Sequence, residues 1–219
     1  MKFADLEFRK AVLSDFQENA YVVSLAGRSD CVVVDPGAEP APLIEKLRKN
    51  NLNPVALLVT HGHWDHIGGI SELRAVWPDA KIYVGANERY KLTDPRGNLS
   101  AHFGLPLTTC DADVSLADGE TFEAAGIAFK TVEIPGHARG HVVYVLETDE
   151  TPVVFCGDVI FNGSIGRSDF PDGDYDALIA GIRDKILTLP SDAVLCPGHG
   201  PETSVGVERA YNPFLEGCV

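Results

Sequence analysis

Positive charge is scarce in this chain: 18 Lys and Arg stand against 32 Asp and Glu, for a formal net charge of −14. That deficit excludes nucleic-acid backbones and anionic membrane surfaces as the main partner, because both need a basic face. Any anionic substrate must therefore meet local positive charge. Long apolar runs are missing as well. The opening MKFADLEFRK carries charges where a secretory signal needs an apolar core, and no stretch reaches the roughly 18 apolar residues of a membrane span. The expectation is a cytoplasmic protein with no membrane partner. Paired cysteines are also lacking: Cys31, Cys110, Cys156, Cys196 and Cys218 occur singly, without a C-x-x-C. An odd, scattered set reads as reduced thiols and disfavours cysteine-held zinc. Cys156 and Cys196 sit in apolar runs and read as buried small hydrophobes.

What is present is enough apolar material for a full core. At 219 residues, 45% of them hydrophobic, the chain is expected to form one globular domain over 1–219. Nothing in the composition specifies an oligomeric state. β-Branched runs at YVVSL (21–25), CVVVD (31–35) and VALLV (55–59) alternate with helix candidates near 41–50 and 68–76. A strand KIYV (81–84) and a helix near 86–92 follow. Residues 93–113 carry Gly, Pro, Asn and Thr without periodicity and read as an irregular surface connection. The second half repeats the scheme, with strands at 127–134, 142–146, 151–155 and 193–195 and a helix near 175–187. This is an α/β organisation without a visible linker.

The chemistry is concentrated in LLVTHGHWDHIGG (57–69), where His61, His63, Asp65 and His66 lie between an apolar strand and a helix. In a turning loop neighbouring side chains diverge, so His61 and His63 can converge on one ion while Asp65 and His66 turn toward another. Imidazole and carboxylate suit zinc, and iron, manganese or nickel would also be accepted. Three further candidates each follow an apolar strand through a Gly: VEIPGH ends at His137, VVFCGD at Asp158 and AVLCPGH at His199. Function gathers at such strand ends in α/β scaffolds. His141, at the start of a strand, reads as a buried histidine or a partner of a ligand. His102 reads as exposed, Trp64 as a wall of the site, and Trp77 as packing.

With these strings on the page, the sequence resembles the metallo-β-lactamase superfamily over nearly its whole length. The motifs are THGHWDH, PGH (135–137), GD (157–158) and PGHG (197–200). VDPGAEP (34–40), GDVIFNGSIGRSDFPDGD (157–174) and VERAYNPFL (207–215) look like the short bacterial branch of the glyoxalase II group. The resemblance implies a four-layer αβ/βα sandwich, two mixed sheets face to face with helices outside and two divalent ions at one edge. It implies His61, His63 and His137 on the first ion, Asp65, His66 and His199 on the second, and Asp158 between them. Asp65 and Asp158 are then the candidate catalytic carboxylates. Asp35 resembles a position that orients a ligand histidine, with a plain turn residue as the other reading.

Two such ions supply a hydroxide at neutral pH and polarise a carbonyl, which gives acyl transfer to water. A thioester fits the absence of an obvious general acid, because a thiolate departs as the anion. The resemblance implies a hydroxyacyl-glutathione such as S-lactoylglutathione. The given sequence runs only to Val219 after His199, without the helical domain that helps longer glyoxalase II enzymes grip glutathione. Arg139 and Arg167 could meet a substrate carboxylate, or form surface ion pairs. The competing reading from another reaction class is a persulfide dioxygenase with a single iron, against which PGHGPET (197–203) and NPFL count. A lactonase uses the same hydroxide. A β-lactamase is disfavoured by the missing export signal, a nuclease by the lack of an inserted domain, and a non-catalytic module by the full set of seven ligands.

Overall fold

The computed structural model describes residues 2–217. Among them the strands form two six-stranded mixed sheets and a small ribbon. The first sheet runs in order β1 (Leu6–Leu13), β2 (Glu18–Leu25), β3 (Asp30–Val34), β4 (Asn53–Val59), β5 (Lys81–Gly85) and β6 (Val114–Leu116). Its first two pairings are antiparallel and the rest parallel. From β7 (Thr121–Ala124) through β8 (Ile127–Glu133), β9 (Val142–Leu146) and β10 (Val153–Gly157) the second sheet is antiparallel. The ribbon β11 (Ile160–Phe161) and β12 (Ser164–Ile165) follows. Then β13 (Val194–Pro197) pairs parallel to β10, and β14 (Thr203–Ser204) closes the edge.

The apolar runs are continuous because both faces of the central strands are buried. In β3, Val32 and Val34 face the second sheet, while Cys31 and Val33 face helices; in β4, Leu58 faces inward and Leu57 and Val59 outward. Between the sheets, Tyr21, Val23 and Leu58 meet Phe129, Tyr144 and Phe155. Outside the first sheet lie α1 (Ala41–Lys49), α2 (Trp64–Ile67) and α3 (Ile70–Val76), burying Leu43, Leu47, Ile70 and Leu73. Against the second lie α4 (Tyr175–Gly181), a π-helical continuation (Ile182–Ile186) and α5 (Val205–Tyr211), burying Leu178, Ile182 and Val205. This is the expected αβ/βα sandwich. No helix among the described residues is long and apolar enough to cross a membrane.

Several elements depart from the sequence reading. Strand β1 was not legible, because LEFRKAVL is an edge strand that carries Glu7, Arg9 and Lys10 on its flank, as edges do. The helix expected near 86–92 is only a 3-10 turn, Arg89–Leu92. There the amide of Lys91 closes on Glu88 O at 3.0 Å, and the Lys91 carbonyl accepts from the buried Asn98 amide, so no α-helical ladder propagates. The helix expected from about 68 to 76 is present as Ile70–Val76, its start set by the Gly68–Gly69 turn. A Cβ on Gly69 would lie 2.6 Å from the carbonyls of Pro36 and Gly37, so glycine lets the helix start press onto the loop after β3. Cys31, Cys156 and Cys196 are buried, Cys110 is half-buried, and all four are free thiols. Cys218 lies outside the described residues. Trp77 packs against the outer core, and His102 is exposed.

Candidate metal centre

Four strand ends deliver the candidate ligands to one edge of the sandwich. His61 follows β4, His137 follows β8, Asp158 follows β10 and His199 follows β13. His61 Nε2, His63 Nδ1 and His137 Nε2 stand 2.9 to 3.2 Å from one another. Nitrogens about 2.0–2.1 Å from a tetrahedral ion stand roughly 3.3 Å apart, so this triangle matches the face such an ion needs. Asp65, His66 and His199 make a second group that could hold an ion. His199 Nε2 lies 3.5 Å from Asp65 Oδ2, and His66 Nε2 lies 3.9 Å from the same oxygen. Asp158 faces both groups: its Oδ2 is 3.5 Å from His137 and 3.6 Å from His199, and its Oδ1 is 3.4 Å from His66.

Hydrogen bonds on the far side of the rings fix which nitrogen is free. His137 Nδ1 is 2.7 Å from Arg167 O, His66 Nδ1 is 3.0 Å from Asp35 Oδ2, and His199 Nδ1 is 3.1 Å from Phe16 O. Each Nδ1 carries a proton and donates it, so Nε2 is the nitrogen turned to the centre. A short relay does the same for His61. The Thr60 hydroxyl donates to Asp35 Oδ2 at 2.7 Å and can accept from His61 Nδ1 at 3.2 Å. Asp35 also accepts from the Thr60 amide at 2.8 Å. These bonds hold Asp35 at φ 49°, a left-handed conformation that a non-glycine residue adopts only when over-determined. Asp35 thus stands directly behind His66 and, through Thr60, behind His61.

Electrostatics agree with a centre built for cations. Burial lowers the pKa of His61 and His63 well below the ordinary value, with neighbouring imidazoles adding to the effect, and His137 is also lowered. Burial thus favours the neutral form of these rings, the form that could hold a cation. Burial opposes charge on His66 and His199 too, but the carboxylates of Asp158 and Asp65 prevail and raise both. Asp158 is fully buried, yet His66, His137 and His199 hold its pKa well below the usual range. His66 Nε2 and Asp158 Oδ1 are buried without a hydrogen-bond partner. Such orphaned atoms are costly unless something binds them, and a divalent cation fits both.

His141 is a partner of the centre rather than part of either group: its Nε2 accepts from the Asp158 amide at 3.0 Å, and its ring stacks on His61. Sequence reading missed several neighbours. Glu18 is a fully buried carboxylate 3.9 Å from His66, and neither of its oxygens is hydrogen-bonded. Burial, together with Asp35, Asp65 and Asp158, raises its pKa well above the usual value against the pull of His66. The signal was an acid opening an otherwise apolar strand, ENAYVVSL. A cleft of about 200 Å³ opens over the centre, walled by Phe16, Trp64, Leu99, Phe103 and Phe170. Trp64 meets Phe16 and Phe103 edge-on or tilted, so the irregular 93–113 segment supplies part of the mouth. Arg167 lines this cleft, forks onto Asp169 and lies over the Phe170 ring. Arg139 is exposed, and its amide donates to Asp172.

An αβ/βα sandwich with this cluster at its edge defines a metallo-hydrolase. The chain belongs to the metallo-beta-lactamase superfamily, whose sequence profile matches residues 13–199. It is 38% identical to the hydroxyacylglutathione hydrolase GloC of Haemophilus influenzae, over 91% of this chain and 93% of that one. Among solved structures, the BLEG-1 B3 metallo-beta-lactamase superposes with a TM-score of 0.91 at 38% identity, covering 96% of this chain and 100% of that one. TTHA1623 in a di-iron-bound form superposes with a TM-score of 0.80 at 34% identity, covering 94% and 100%.

Proposed function

We propose that residues 1–219 form a single hydrolase domain that cleaves a thioester, S-lactoylglutathione or a related hydroxyacyl-glutathione, in the cytoplasm. The observation that carries the reading is the pair of candidate ligand groups that Asp158 faces, with four Nε2 atoms aimed at the centre by hydrogen bonds behind their rings. His61, His63 and His137 would hold one divalent ion, Asp65, His66 and His199 the other, and Asp158 both. Zinc suits this donor set, and iron or manganese is compatible with it; the di-iron form of TTHA1623 belongs to that relative. Two ions so placed would supply a hydroxide at neutral pH and stabilise the charge that develops on the carbonyl oxygen.

The residues of the chain do the remaining work. Phe16, Trp64 and Phe103 form an apolar wall on which the acyl and thiol stems would pack. Arg167 is the cation available to a glutathione carboxylate at the cleft. Because it is exposed and already paired with Asp169, it should act on binding rather than on chemistry. Arg167→Ala is expected to raise KM several-fold with kcat changed less. An unchanged KM in steady-state kinetics would remove it from the substrate site.

The reading is tested by turnover of S-lactoylglutathione by chelator-stripped protein, with and without added zinc, iron or manganese. Metal-dependent release of free thiol supports it. Oxygen consumption with glutathione persulfide and no thioester cleavage would replace it with the single-iron oxidation. A second reading, β-lactam hydrolysis, is favoured by the likeness to BLEG-1. Nitrocefin turnover exceeding that of the thioester would put it first, and a lactone panel run alongside covers ester substrates.

A further inference from the structure

Next to the centre, and outside both ligand groups, lies a cluster of opposite charges that a packed core would not need. Lys91 and Glu88 are fully buried, and the Lys91 ammonium stands 3.0 Å from Glu88 Oε2 and 2.6 Å from Asp172 Oδ2. A buried ion pair is weak evidence of stability, because apolar residues of the same volume often serve as well. Its retention calls for a positional reason, and the remaining bonds of the cluster supply one. Glu88 Oε2 accepts the amide of Gly62 at 2.8 Å, and Glu88 Oε1 accepts the amide of Gly140 at 2.9 Å. Gly62 lies between His61 and His63, and Gly140 lies three residues after His137. One carboxylate therefore spans the two loops that carry the first ligand group. Asp172 Oδ2 also accepts the Arg139 amide at 3.2 Å. Asp172 belongs to the loop whose Arg167 carbonyl receives the His137 Nδ1 proton and whose Phe170 ring touches both His63 and His137.

We infer that Glu88, Lys91 and Asp172 are positioning residues that hold His61, His63 and His137 as one preformed unit, separately from Asp65, His66 and His199. The inference rests on the two-ion reading of the site. The second group makes no bond to this network: Asp35, which also reaches His61 through Thr60, stands behind His66, and the Phe16 carbonyl stands behind His199. The glycines complete the case. A Cβ on Gly62 would strike the stem of Lys91, with its Cδ at 3.0 Å, and one on Gly140 would lie 2.8 Å from the Asn87 carbonyl carbon. Both loops thus press directly against the 87–91 turn, and the network fixes their separation. Burial opposes the charge on Lys91, but Glu88 and Asp172 outweigh it and hold the pKa above the ordinary value, in keeping with an ammonium that joins the two carboxylates.

Zinc titration of the chelator-stripped protein against a competing chelator tests this, with Glu88→Gln introduced into two single-group backgrounds. Glutamine keeps the size of the side chain but turns one acceptor into a donor facing a loop amide. In His199→Ala, where the first group remains intact, Glu88→Gln should weaken zinc about 10- to 100-fold, the usual effect of losing a partner behind a ligand. In His63→Ala, where the second group remains, it should change zinc affinity less than about threefold. Equal weakening in both backgrounds, or in neither, overturns the inference. Should Glu88→Gln fail to give a native circular dichroism spectrum, Asp172→Asn, which sits at the edge of the network, decides by the same comparison. A wild-type protein that binds fewer than two ions would instead sink the two-ion reading, so the two failures are distinguishable.

Discussion

Replacing Asp158 by Asn is expected to lower kcat/KM for thioester cleavage by about three orders of magnitude, or roughly 4 kcal/mol of transition-state stabilisation. Asp158 is the side chain that faces both ligand groups, 3.5 Å from His137 and 3.6 Å from His199. Asparagine keeps its shape but loses the charge that His66, His137 and His199 hold ionised. One of its two polar atoms also becomes a donor, and a donor cannot ligate. Zinc content should therefore fall below two per chain along with the rate. The backbone has little reason to move, since the Asp158 amide still donates to His141 Nε2. Elemental analysis together with steady-state kinetics checks this, with circular dichroism to confirm folding. A loss of less than tenfold with two ions retained would remove Asp158 from the shared position.

Gly198→Ala is expected to cost roughly a hundred- to a thousand-fold in kcat/KM, although alanine changes no charge and is not a ligand. A methyl group here would strike Asp158 Oδ1, and it would lie 2.6 Å from His66 Cε1. Both neighbours are buried, so they must be pushed out of the shared geometry rather than swing into solvent. Overpacking of this kind costs about 1–3 kcal/mol in a rigid interior, and the displaced groups are a candidate ligand oxygen of Asp158 and the ring of the candidate ligand His66. Melting temperature of the metal-free protein should drop only modestly while zinc affinity falls. A variant with wild-type activity would show that the PGH turn is not tightly packed against the centre. Gly157 has a related role at φ +46°, where a side chain would strike the Thr60 hydroxyl and lie 2.8 Å from His141 Nε2.

These two substitutions also mark what could be read in advance. The candidates His61, His63, Asp65, His66, His137, Asp158 and His199 stand out in the sequence because each lies in a glycine-bearing turn after an apolar strand. The structure brings all seven to one edge. The central strands were legible because burial on both faces leaves 21–25, 31–35 and 55–59 mostly apolar, with Ser24 and Asp35 the exceptions. What was not legible depends on contacts between segments far apart in sequence. Lys91 reads as an ordinary helix residue, and only the approach of the 62, 140 and 172 loops gives its charge a purpose. Glu18 is buried because β2 passes beneath His66, a fact no local pattern carries. The edge strands β1, β7 and β14 are short or charged, so their pairing is dictated by the sheet they complete. The His102–Phe103 turn looked like surface, yet Phe103 reaches back onto Phe16 and Trp64 at the mouth of the cleft.

The central claim is a centre of two ions that share Asp158. Equilibrium zinc titration of the chelator-stripped wild-type protein, read beside Asp158→Asn, tests it most directly. Two ions per chain are expected in the wild type, with a loss of tight binding at both groups in the variant. One ion per chain in the wild type, unaffected by Asp158→Asn, would contradict it.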